Sequence, residues 1–181
     1  ADLETVGVPV VFVGASSFSG VLDGFALVGK AIDRQAEAAQ AAASLRNQIT
    51  VIGTRLPGQQ PAVLVLSGPS GDLRAALASS YAGDLVRLLG AVNVAALADV
   101  VDAYRPITLD EIARLAPEVI VVLRGADEPD QAKDLARAPE LASVPAVAAG
   151  RVHTLLDAPG PRAGETLDLL SKMLYPSIFG P

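Results

Sequence analysis

Apolar positions recur along this chain in two rhythms. Short apolar runs at residues 8–13, 62–66 and 119–123, and a more mixed one at 150–155, have the length of buried strands and are bounded by turn residues. Between them the spacing lengthens to that of a helix. Leu22, Phe25, Gly29 and Ile32 form one stripe, in a helical region from residue 16 to about 55 in which Gly29 and Gly53 are candidate break points. Residues 56–61 read as a turn, 67–71 as a loop, 72–80 as a short helical turn, and 81–90 as a helix closed by glycine. Residues 93–95 read as a short extended piece, 129–138 and 139–147 as short helices with a turn, and 159–161 as a rigid loop. A terminal helix follows over 164–174. Alternating strands and helices predict an α/β fold, a three-layer lobe with a mostly parallel sheet flanked by helices.

The densest signal lies between Tyr104 and Gly125. Thr108 can cap the helix that follows, and Glu111, three residues on, completes a capping box. Leu109, Ile112 and Leu115 give that helix one apolar face. Pro117 cannot continue it, and residues 119–123 form a strand buried on both faces. Tyr104 falls in a loop before the helix and Arg124 just after the strand, where open α/β sheets bind ligands.

Composition narrows the function. The chain has 181 residues, 51% of them hydrophobic, enough for a core. A net charge of −6 argues against nucleic acid or an anionic membrane as the main partner. No cysteine removes disulfides, thiol catalysis and zinc–thiolate sites. One His and one Met leave little for a protein-only transition-metal site, so a metal is expected inside a chelating ligand. Ala1-Asp2-Leu3-Glu4 has no basic leader, and residues 5–22 carry too many Gly and Pro for a membrane helix.

The order of several fragments resembles the extracytoplasmic solute-binding proteins of iron-siderophore, haem and cobalamin ABC importers. Tyr104-Arg105-Pro106-Ile107-Thr108-Leu109-Asp110-Glu111-Ile112 and Ala116-Pro117-Glu118 are similar to that family's aromatic, proline, Ser/Thr-Leu-Glu-Glu-Leu and Asp-Pro-Asp strand entry. Gly7-Val8-Pro9-Val10-Val11, Ser80-Tyr81-Ala82-Gly83-Asp84, Asn93-Val94-Ala95, Val144-Pro145-Ala146-Val147 and Pro159-Gly160-Pro161-Arg162 match further fragments in order. The resemblance implies residues 1–15 as the remnant strand of a first lobe, 16–56 as a long interlobe helix and 57–181 as the ligand-binding lobe. The rest of the first lobe is absent from this chain. It also implies a periplasmic or cell-surface lipoprotein location, with ABC permease subunits as partners. The ligand would be a small metal chelate, namely a ferric siderophore, haem or a corrinoid, with no covalent cofactor.

Each candidate residue has two readings. Tyr81 and Tyr104 suit stacking on a flat ligand, or packing over a helix end. Arg124 suits an anionic group of the ligand, or a bridge to Asp127 or Glu128. Arg162 has the same choice, with the loop carbonyls as its structural partner. The resemblance makes Asp110 the acid that docks the transporter, while in a helix's first turn it also offsets the dipole. His153, alone in a strand, reads as structural. The loop at residues 67–71 lacks the Gly-Lys-Ser/Thr of a phosphate loop.

The leading expectation is non-catalytic capture of a chelate and delivery to a permease. The alternative is a self-associating single lobe, a homodimer joined through its exposed helix or its N-terminal strand. An α/β enzyme is the weakest reading, since no nucleophile–base pair or dinucleotide fingerprint stands out.

Overall fold

In the computed structural model, residues 10–69, 71–96, 102–125, 129–156, 160 and 162–180 are described. Helices α1 (Phe18–Ala31) and α2 (Gln35–Arg55) come first, then β1 (Ala62–Ser67), β2 (Arg74–Ala76), α3 (Tyr81–Leu88), β3 (Val92–Asn93) and β4 (Tyr104–Pro106). Helix α4 (Leu109–Leu115), β5 (Val119–Arg124), α5 (Gln131–Leu135), a 3-10 turn at Pro139–Leu141, α6 (Pro145–Ala148), β6 (Val152–Leu156), α7 (Ala163–Leu174) and α8 (Pro176–Phe179) complete the order.

The strands lie in the order β4-β2-β1-β5-β6, with β3 also on β1. Strands β1, β3, β5 and β6 are mutually parallel where they pair, and β2 and β4 form an antiparallel margin. The fold is therefore α/β with a mostly parallel sheet flanked by helices.

The pleat explains the two cores. Successive side chains of a strand point to opposite faces. Val63 and Val65 of β1 with Val119 and Val121 of β5 pack against α1, α3 and α7. Leu64, Leu66, Ile120 and Val122 join Ile112, Leu135 and Leu141 on the other side. The first will be called the near face, the second the far face. No residue from Val63 to Leu66 is more than 1% exposed, as a central parallel strand requires.

Four expectations change. The helical region breaks at residues 32–34, just past Gly29, while Gly53 lies inside α2. Ala38 sits against the Gly29 backbone, where no side chain fits, and the Arg34 N–H donates to the Gly29 carbonyl at 2.7 Å. Asp33 turns the corner at φ 55°. Of the strand expected at residues 8–13, residues 8–9 lie outside the described set, and 10–13 are irregular and pair with no other described strand. An apolar run becomes a strand only beside a neighbour that completes its hydrogen bonds. The expected helical turn at 72–80 contains β2 instead, because its residues find β4 as an antiparallel partner. For the same reason Tyr104 opens a strand rather than lying in a loop.

Candidate functional site

The carboxyl ends of β1, β5 and β6 point to one rim of the sheet. Open α/β sheets bind ligands in the loops beside such ends, and β4 runs up to the same rim at Pro106. Several of these positions, including Asp127, Glu128, Pro159 and Pro161, lie outside the described residues.

Helix α3 is set by its ends. The Ser80 hydroxyl oxygen accepts from the Gly83 N–H at 3.0 Å, and Gly90 follows the helix at φ 68°. This places Tyr81 as the first helical residue, 7% exposed and part of the near-face core. Its packing reading describes where the ring lies. The Ser79 hydroxyl donates to the Asp102 carbonyl at 2.5 Å, joining the start of α3 to the segment that leads into Tyr104. Tyr104 is half-buried, pairs with Ala76 across β4 and β2, and packs on the near-face core.

Arg124 is the last residue of β5 rather than a loop residue, half-buried and in register with Leu156. By the alternation of its strand it shares the far face with Ile120 and Val122. Tyr104 and Arg124 are therefore both close to the rim but belong to opposite faces. Near Arg124 the Thr154 hydroxyl donates to Asp130 Oδ1 at 2.6 Å, and Lys133 Nζ lies 3.1 Å from Oδ2. These bonds, Thr154's first, hold the Asp130 carboxyl below its usual range, with Arg124 adding a smaller field.

Arg162 is exposed and pairs with Glu165 at 2.8 Å, one turn along α7. Pro159 and Pro161, whose carbonyls were its other expected partners, lie outside the described residues. Asp110 is exposed in the first turn of α4. Thr108 caps that helix as expected, its hydroxyl oxygen accepting from the Glu111 N–H at 3.3 Å. The capping box is not closed. Glu111 turns to Arg105 at 2.7 Å, and this guanidinium holds its carboxyl low. His153 is half-buried on β6; burial pushes its imidazole down, with Arg151 adding to the effect.

Sequence reasoning missed Asp84. This buried side chain accepts from the Phe18 N–H at 2.9 Å, the first of α1, and binds the Arg87 guanidinium at 2.6 Å. Its only sequence signal was an acid in the first turn of α3. A second missed feature is a cavity of about 220 Å³ between residues 13–15, α1 and Gly160, on the near face.

The fold is a two-faced α/β lobe with loops at the strand ends. The chain belongs to the periplasmic binding protein family, whose pattern matches residues 1–159. A cobalamin-binding protein of Halobacterium salinarum is 26% identical over 180 residues, covering 96% of this chain and 49% of that protein. The chain thus spans about half the length of the curated relatives it matches. The solved structure of an ABC-type Fe3+-hydroxamate transport system from Saccharomonospora viridis is 26% identical with a TM-score of 0.80, over 94% of this chain and 63% of that one. A periplasmic heme-binding protein from Roseiflexus sp. RS-1 shares the fold at 23% identity and TM-score 0.80, over 97% and 70%.

Proposed function

We propose that this chain is a solute-binding component, or one lobe of it, that captures a metal chelate and hands it to the permease of an ABC importer outside the cytoplasm. The chelate class is a ferric siderophore, haem or a corrinoid. The observation that carries this reading is the spread of ligands named for relatives that share the fold, which are cobalamin, Fe3+-hydroxamate and haem. All are flat or globular chelates, and none requires covalent chemistry from the protein.

In this proposal Tyr104 lays its ring on the ligand and Arg124 meets an anionic group from the far side of the rim. Arg162 adds charge at the last loop, and Tyr81 backs the site from the core. Asp110, exposed on α4, meets a cation of the permease. Titration with haem, ferrioxamine and cyanocobalamin tests it, by Soret absorbance for haem and calorimetry for the others. One of the three is expected to bind saturably, and Tyr104→Ala to weaken it about tenfold, the scale of one aromatic contact, with the fold intact. Unchanged affinity would remove Tyr104 from the site.

A second reading, self-association, draws on a specific surface. Val11, Phe12, Val13, Leu27, Val28 and Ile32 are all at least 40% exposed, and Phe12 is 84% exposed. Val13 and Val28 of these line one cavity beside α1, and exposed apolar residues that cluster mark a surface that something covers. Light scattering at high concentration would give a dimer if a second copy covers it, and a monomer would end this reading.

A further inference from the structure

The far face carries a pocket that the chelate reading leaves unused. A cavity of about 330 Å³ opens between Gly71, the start of α4 and the length of α5. Its wall is apolar at Leu73, Ile107, Leu109 and Leu135. Gln131 and Asp134 bring acceptors to it. Gln131 is 7% exposed, yet its Oε1 accepts no hydrogen bond among the described residues. A buried amide oxygen left in that state is costly unless something outside the fold satisfies it. Asp134 enters no ion pair among the described residues. Of the cations close by, Lys133 is engaged by Asp130 and Arg105 by Glu111. Asp110 stands exposed beside Leu109, and the chain's net charge of −6 adds to the same field.

We infer that this pocket binds an organic cation with an apolar stem, an alkylguanidinium or alkylammonium group. The stem lies along Leu73, Ile107 and Leu135. The head donates to the Asp134 carboxylate, beside the buried Gln131 amide. An anion is repelled by the Asp134 carboxylate, and a neutral donor forgoes the stronger charge-assisted bond. A free cationic metabolite and an arginine or lysine side chain of a partner protein share this chemistry.

The test is an NMR titration of the isotope-labelled full chain with n-butylguanidinium, its neutral isostere n-butylurea and the blocked peptide acetyl-Gly-Arg-Gly-amide. Saturable shifts are expected at the amides of Leu73, Leu109 and Ala138 with the cation, and none with the urea. Asp134 is exposed, so Asp134→Asn keeps the fold, and it should weaken the cation by about tenfold, the worth of one hydrogen bond to a charged group. A peptide that binds tighter than free butylguanidinium assigns the pocket to a protein partner; the reverse order assigns it to a small molecule. Equal binding of butylurea, undiminished binding by Asp134→Asn, or shifts confined to other surfaces each overturn the inference. Chelate binding at the rim is measured separately, so neither result decides the other.

Discussion

The two faces of the sheet are built from the same strands by different means. Helices of 14, 8 and 12 residues, α1, α3 and α7, wall the near face. The far face is walled by α4, α5 and α6, of 7, 5 and 4 residues, and by the 3-10 turn. Long helices present wide apolar stripes, so the near face joins into one core, on which Ala15 and Phe25 also pack. Short helices leave gaps between them, and the far face is edged by ion pairs, Arg105–Glu111 and Lys133–Asp130. Two carboxylates summarise the contrast. Asp84 on the near face is buried and holds a helix backbone, whereas Glu111 on the far face is partly exposed and holds a side chain. The lesson is that polar groups inside the near face are structural ties, while those on the far face remain within reach of other molecules.

Asp84→Ala is the strongest way to break this contrast. It leaves the Phe18 N–H without its acceptor, and should cost about 1–3 kcal/mol in chemical denaturation. Amide exchange at Phe18 and its neighbours should accelerate more than exchange at α4. Uniform acceleration across the chain would mean that Asp84 ties nothing in particular.

A smaller effect comes from His153, whose alternation with buried Leu155 puts it on the near face. Its folded-state pKa is lowered by burial, so on acidification the unfolded chain takes up its proton first. Stability should therefore decline slightly as pH falls below about 6.5, the unfolded value, and this contribution should level off below the folded one. His153→Gln should remove that part of the slope when denaturation midpoints at about pH 8 and pH 5.5 are compared. A slope of the same size in the variant would assign it to other groups.

The unit from Thr108 to Leu123 was legible because its signals are local. A cap, a helical stripe, a proline and an apolar run each act within a few residues, and all four appear in the structure. The antiparallel margin was not legible. β2 and β4 have three residues each, too few for alternation to register; β2 forms between β1 and β4, and β4 on β2. The reverse failure occurred at residues 10–13, where a strand-like run pairs with no described strand. Glu111 shows why a motif can be half right. The spacing promised a reciprocal cap, but Arg105 on the adjoining strand offered a charged partner that sequence distance conceals. For the candidate site, the pleat assigns Tyr104 and Arg124 to opposite faces, which only the register of the assembled sheet decides. Asp84 and Gln131 went unnoticed because burial, not residue type, gives them their interest.

Helix α7 is among the last elements of the chain, yet Leu167, Leu170 and Leu174 lie in the centre of the near-face core. Arg151 donates to the carbonyls at its end, and Gln48 donates to the Gly164 carbonyl and to Asp168, joining it to α2. Until this helix docks, the near face of β1 and β5 stays open to water. A growing chain in that state presents an unsealed apolar surface of the kind chaperones shield. Deleting α7 would remove a wall of the core.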